Sequence, residues 1–331
     1  MELYNYDKTT LDDKTYAISG PEVLGGLYHY HITFPSPYNT GIEKNDTVHA
    51  EIFQKHTAKR AGIRPHKDMV IIVHGFGTGN RKLFNYNSFA CSMAEKGMTA
   101  VFISLPYHVN RTPEKESGGE RLRYFNDVQT LIFFHQSVVD IRRLMDILEA
   151  VLKPRNIYIC GISLGCMVST ITMAFDRRIK KGALLLGGGN WEEIHWRGIM
   201  RFILQGNCSP AGRKGNRAVC RSVYREFPRF MDRIKEKDGK SLFPDTEDKR
   251  LKEVMPRYCF LCDPMAFGHM IDPGNILMIN SMFDLYFSIR SVRGLWRQLG
   301  RPTLNWTAAP HSSRILVNNK IINMIYDFYT C

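Results

Sequence analysis

The chain has 331 residues, 44% hydrophobic and 23% charged, with 45 Lys and Arg against 32 Asp and Glu and a net charge of +13. This is the balance of a globular protein with a large core, and the length fits about two domains or one α/β domain carrying an insertion. Eight cysteines are too sparse for a small disulfide scaffold, and no stretch approaches the ~18–20 apolar residues that span a bilayer.

The opening residues, MELYNYDKTTLDD, lack a positive segment followed by an apolar run. No signal peptide is expected, and the chain is expected to be soluble and cytoplasmic. Two alternating runs, 27–34 and 47–54, are separated by the turn-rich PSPYNTGIEKND and predict an antiparallel pair. Met69–Val73 is continuously apolar, as in a strand buried on both faces, and ends in the Gly-rich HGFG. A helix over 84–96, a strand over 99–105 and a polar loop over 106–127 follow. A long amphipathic helix from Val128 to about Leu152 is stopped by Pro154. Further strands are predicted at 157–162, 182–188, 275–280 and 303–307, with helices after 163, over 285–299 and over 312–329. Strands alternating with helices predict a mainly parallel sheet covered on both faces.

Gly161-Ile162-Ser163-Leu164-Gly165 is a G-x-S-x-G pattern, weak by itself and strengthened by the strand before it and the helix after it. A serine hydroxyl needs a histidine base, itself oriented by a carboxylate. On a parallel sheet these partners belong just after strand C-termini. His311 follows the strand at 303–307, and Asp284 follows the strand at 275–280. Glu192 and Glu193, after the strand at 182–188, are runners-up for the acid. Asp272 and His269 precede their strand, Asp263 falls in an irregular insertion, and His74 is read as shaping its loop. The oxyanion donors are expected to be the backbone N–H groups of Leu164 and Phe76, with Gly75 and Gly77 allowing close approach. Cys166, in the first turn of the helix, is read as structural.

HGFG, GISLG, the aspartate of SMFD and the histidine of APHSS, in that order, resemble the α/β-hydrolase superfamily from about residue 45 to the end. LPYHVNRTPEKESGGER, followed by a long helix and GISLG, is similar to the family that includes alpha/beta hydrolase domain-containing protein 18. The resemblance implies an α/β-hydrolase fold: an eight-stranded, mostly parallel sheet flanked by helices, and a Ser163–Asp284–His311 triad. It also implies a helical cap inserted between the sixth and seventh strands. The core would then be 1–190 and 273–331, and the cap 191–272.

From Arg197 to Lys240 there are twelve Lys and Arg against four Asp and Glu. A basic cap over an ester-cleaving site favours an anionic substrate or contact with an anionic membrane. EEIHWRGIMRFIL reads as one amphipathic lid helix. A helix packed on the core with its arginines in water is preferred to membrane contact. Nucleic acid is not expected, since no binding motif accompanies the charge. Arg111, Arg121 and Arg123 are read as surface residues or structural ion pairs rather than part of the site mouth. Cys259 and Cys262 form a C-x-x-C with no second pair, so no metal site is expected, and no organic cofactor is indicated. The chemistry expected is cleavage of a carboxylic ester, thioester or amide of a small-molecule acyl substrate through an acyl-enzyme. The alternatives are a non-catalytic binding protein of the same fold and a lipid-acyl hydrolase at an anionic membrane surface.

Overall fold

The computed structural model describes residues 3–8, 15–55, 68–204, 216–236 and 258–331. Among them nine strands form one sheet: β1 (Ala17–Leu24), β2 (Leu27–Pro35), β3 (Thr47–Lys55), β4 (Met69–Val73), β5 (Thr99–Ile103), β6 (Ile157–Ile162), β7 (Ile179–Leu185), β8 (Ile276–Ser281) and β9 (Thr303–Thr307). Their order is β1-β2-β3-β5-β4-β6-β7-β8-β9. From β5 to β9 the pairing is parallel, and β1, β2 and β3 extend one edge antiparallel. The expected pair runs in register from Leu27↔Lys55 to Pro35↔Thr47.

The sheet has nine strands rather than the expected eight. The additional one, β1, carries Gly20-Pro21 at its centre and so reads as a turn. It is accommodated because it is the outermost strand and its register shifts between Ser19 and Glu22; proline without an amide donor is tolerated at such an edge. The large insertion consequently falls between β7 and β8.

The central strands alternate between two cores, as a sheet covered on both faces requires. Ile71, Val73, Val101 and Ile159 face one side, with Ile141, Leu144 and Val168 from the helices Asp127–Leu152 and Leu164–Phe175. Val70, Ile72, Phe102 and Cys160 face the other, with Phe89 and Ile325 from the helices Asn80–Glu95 and Asn319–Thr330. The long helix begins at a capping box, in which Asn126 accepts from the Gln129 N–H and Gln129 returns to the Asn126 N–H.

Three expected helices are altered by local chemistry. Ser288 caps the helix Ile289–Gln298 by accepting from the Ser291 N–H, which leaves 282–287 as a loop. The last helix begins only at Asn319, where Asn318 accepts from the Lys320 and Ile321 amides; a 3-10 turn, Ser313–Val317, precedes it. The single lid helix is broken into Trp191–Trp196 and Met200–Ile203. Gly198 lies between them at φ +89°, where a Cβ would sit 2.3 Å from the Leu285 carbonyl oxygen.

Buried polar groups fix the loops at the C-terminal end of the sheet. Arg111, fully buried, donates to Asp140 at 2.7 Å, to Ser104 O at 3.1 Å and to Asn45 O at 2.8 Å. Ser36 donates to the second oxygen of Asp140 at 2.6 Å. Arg111 is thus a structural ion pair, as expected. His74 accepts from the Leu105 N–H at 3.0 Å through Nε2, so its proton sits on Nδ1 and is donated to Gly75 O at 2.9 Å. His108 accepts from the Gly77 N–H at 3.2 Å and donates to Pro106 O at 2.8 Å. Burial holds both imidazoles neutral, pulling His74 well below the ordinary histidine value and His108 down to about 4.

Arg111→Ala leaves the Asp140 carboxylate buried without its partner and is expected to lower the unfolding free energy by about 3–5 kcal/mol, read by urea denaturation. The histidines give a pH dependence of definite sign. An unfolded histidine takes up a proton near 6.5 and folded His108 only near 4, so the unfolded chain binds more protons in between. Stability is therefore expected to fall as pH drops through this window, by about 3 kcal/mol for His108 alone. Denaturation midpoints from pH 7 to pH 4 measure it, and His108→Gln should show a shallower decline.

Candidate active site

β6 runs directly into the helix Leu164–Phe175, and Ser163 is the single residue between them. Its φ of 57° and ψ of −118° turn the side chain out over the end of the sheet. The Ser163 N–H donates to Leu185 O at 2.9 Å, fixing the turn to the end of β7. Both flanking glycines are required by space. A Cβ on Gly161 would lie 2.3 Å from Gly165 O, and one on Gly165 would lie 2.1 Å from Val73 O. The first helical turn therefore rests on the backbone at the end of β4.

Ser163, Asp284 and His311, distant in sequence, form one hydrogen-bonded chain. His311 Nε2 lies 3.0 Å from Ser163 Oγ, and His311 Nδ1 lies 2.7 Å from Asp284 Oδ2. Asp284 Oδ1 accepts from the Tyr286 and Phe287 amides at 2.7 and 2.9 Å. One carboxylate oxygen thus anchors the loop after β8 and the other faces the imidazole. The Asp284 side chain is 1% exposed and that of His311 12%, and His311 lines the cavity that opens over Ser163. The Tyr286 ring stacks on His311 at 4.3 Å between centroids. Tyr286 was not legible as a site residue; its one signal is its place two residues after the aspartate.

The loop after β4 comes up beside the serine. A Cβ on Gly75 would lie 3.1 Å from Ser163 Cβ. The Gly75 N–H donates to Tyr86 Oη at 3.0 Å and the Gly77 N–H to His108. Among the described residues the Phe76 N–H, between these two, meets no acceptor. Leu164 is the first residue of its helix, so its N–H has no intrahelical acceptor either. Two free amides beside a serine–imidazole–carboxylate chain can stabilise an oxyanion while the imidazole moves the serine proton.

The rival acids are engaged elsewhere. Glu193 accepts from Ser288 at 2.8 Å and pairs with Arg197 at 3.0 Å, and Glu192 lies 3.5 and 3.8 Å from Arg217 and Arg221. Asp272 caps the turn before β8. Cys166 is fully buried against Gly187, and burial pushes its thiol up to about 12. Among the described residues no three metal-type ligands cluster.

A cavity of about 1310 Å³ opens over Ser163 and His311. Trp191, Ile194, Met200, Val219 and Val223, from the insertion between β7 and β8, line it opposite the serine. Lys82, Arg123 and Arg314 stand at its margin. Arg123 therefore reaches the site mouth, contrary to expectation, whereas Arg121 is held by Glu116 at 2.7 Å. Residues 205–215 and 237–257, which hold part of the basic surplus of the insertion, lie outside the described residues.

The family described as alpha/beta hydrolase domain containing 18 matches residues 28–181. No curated protein matches the sequence. Several solved structures share the fold. A cold-adapted esterase from an Arctic intertidal metagenomic library, bound to PEG, is 15% identical with a TM-score of 0.54, covering 92% of this chain and 96% of its own. Acetyl xylan esterase 1 from Thermoanaerobacterium sp. is 15% identical at a TM-score of 0.56, covering 96% and 87%. The acylaminoacyl peptidase of Pyrococcus horikoshii is 14% identical at a TM-score of 0.54, covering 93% of this chain and 42% of its own. Taken with the strand order and the serine turn after β6, these shared structures show that the chain has the alpha/beta-hydrolase fold, and its residues 28–181 are similar to the alpha/beta hydrolase domain containing 18 family.

Proposed function

We propose that the chain is a serine hydrolase acting on a carboxylic ester, with Ser163 as nucleophile, His311 as base and Asp284 as the acid that orients it. The observation that carries this reading is the unbroken contact from Asp284 through His311 to Ser163 Oγ, at 2.7 and 3.0 Å. Ser163 Oγ attacks the acyl carbon while its proton passes to His311 Nε2. Asp284 holds the Nδ1 proton and stabilises the imidazolium. The carbonyl oxygen becomes an oxyanion, accepted by the amides of Phe76 and Leu164. His311 then returns the proton to the departing alkoxide, leaving an acyl-serine. Water repeats the sequence, releasing the carboxylic acid and restoring the hydroxyl. The same parts cleave thioesters and amides, and an esterase and a peptidase both appear among proteins of this fold.

Residues 191–272 act as a cap on the core formed by 1–190 and 273–331. Support comes from the apolar side chains that the described part of this segment contributes to the cavity. The basic margin of Lys82, Arg123 and Arg314 favours an acyl substrate carrying negative charge.

Fluorophosphonate labelling read by intact mass tests the assignment. Wild type should gain one adduct, and Ser163→Ala and His311→Ala should gain none. Asp284→Asn should fold normally and lose about 10⁴ in turnover of an activated ester, because the imidazole then favours the wrong tautomer. Folded wild type that takes up no label overturns the reading.

A further inference from the structure

A group of large apolar side chains stands in water beside the cavity mouth. Phe202 is 68% exposed, and Phe283 and Leu285 are each 66% exposed; Met282, Ile289 and Ile199 are also exposed. Two segments distant in sequence bring them together. The Ile199 N–H donates to Leu285 O at 2.8 Å, and Gly198 packs against the same carbonyl. Phe202 is one turn on from Ile199. Met282, Phe283 and Leu285 flank Asp284 itself, and Ile289 opens the following helix. Scattered exposed apolar residues are ordinary; a contiguous set around a site entrance is not.

The exposed charge around this set has one sign. In residues 196–204 and 282–293, Arg201, Arg290 and Arg293 are exposed, whereas Arg197 is neutralised by the buried Glu193 at 3.0 Å and the Asp284 side chain is buried against His311. Arg201 lies over the Phe202 ring at 4.4 Å, covering its apolar face with a cation. Arginine beside exposed phenylalanine and leucine suits an interface with apolar chains below and anionic headgroups above. It suits a protein partner less well, since the exposed side chains of these two segments are all apolar or cationic.

The same segment also borders the catalytic cavity. In residues 199–204, Met200, Ile203 and Leu204 line the cavity, whereas Ile199 and Phe202 are exposed. We infer that this surface, formed by residues 199–202 and the loop after β8, docks the protein on an anionic phospholipid bilayer with the cavity mouth at the lipid. The docking gains its purpose from the hydrolase reading but does not depend on it. It reverses the expectation from sequence that the arginines of the insertion stand in water alone.

Vesicle co-sedimentation of the Ser163→Ala protein separates the two readings, since it needs no turnover. Binding to phosphatidylcholine vesicles containing phosphatidylglycerol is expected, with little binding to phosphatidylcholine alone and loss at high salt. Phe202→Glu and Phe283→Glu should each weaken binding about tenfold, and Arg201→Glu by at least about fivefold. Val23→Glu, on the far edge strand, should leave it unchanged. Fluorophosphonate labelling of Phe202→Glu in the Ser163 background should match wild type, which rules out misfolding. Absence of binding to anionic vesicles overturns the inference, as does binding that Phe202→Glu and Phe283→Glu leave intact. A concentration-dependent dimer lost in Phe202→Glu, with no vesicle binding, also overturns it and assigns the surface to a second copy of the chain.

Discussion

Ser163 is held in a backbone conformation that costs of order 1–3 kcal/mol, and the site depends on what enforces it. The helix after β6 begins so close to β4 that Gly165 rests against Val73 O and Gly161 against Gly165 O. No side chain fits at either position. Strand and helix must therefore meet in one residue, and that residue must project. The Leu185 carbonyl completes the constraint from β7. The same close approach brings the loop after β4 against the serine, so its amides and the hydroxyl are positioned by one packing event.

The other members of the site lie on loops, which are less constrained than strands, and buried polar groups compensate. His74 and His108 tie the loop after β4 to the loop after β5, each with one nitrogen accepting and one donating. Arg111 then ties the loop after β5 to the long helix through Asp140. Asp284 serves its own loop with one oxygen and His311 with the other. The side chains of His74, His108, Arg111, Asp140 and Asp284 in this chain are all buried, where an unmet donor or acceptor would be costly. Precise placement on loops is thereby obtained without rigid elements beneath every residue.

The insertion between β7 and β8 is joined to the core by similar means. Asp263, buried, accepts from the Asn190 amide, the Met265 amide and the Tyr224 hydroxyl, and Tyr224 accepts from the Trp191 N–H. Burial pushes the Asp263 carboxyl up to about 6. Aromatic packing among Tyr224, Phe227, Phe230 and Phe260 continues the attachment. Held this way, the described part of the insertion presents apolar side chains to the cavity and, at 199–202, others to the outside. Gly198 makes that division possible by turning the chain where a continuous helix would have swept Phe202 elsewhere.

Local chemistry was enough to reveal much of this in advance. Met69–Val73 and Thr303–Thr307 are strands with the bounds their apolar runs and flanking turns suggest. Gly-x-Ser-x-Gly between a strand and a helix has few structural solutions, because two glycines and a strand end leave one path for the chain. The chain order of serine, aspartate and histidine follows from parallel strands, whose C-terminal ends all lie on one side of the sheet. Hidden were the features that depend on partners far away in sequence. β1 is a strand only because β2 offers an edge that tolerates Gly20-Pro21. The lid helix breaks at Gly198, whose φ of +89° is not helical and beside which the Leu285 carbonyl, 87 positions on, leaves no room for a side chain. Asp284, rather than Glu192 or Glu193, faces His311 because Arg197, Arg217, Arg221 and Ser288 draw the glutamates away. Residue type and spacing by themselves determined which groups were available for chemistry. Tertiary packing decided which of them meet, since a hydrogen bond reaches only about 3 Å and only the folded chain brings residues 148 positions apart within it.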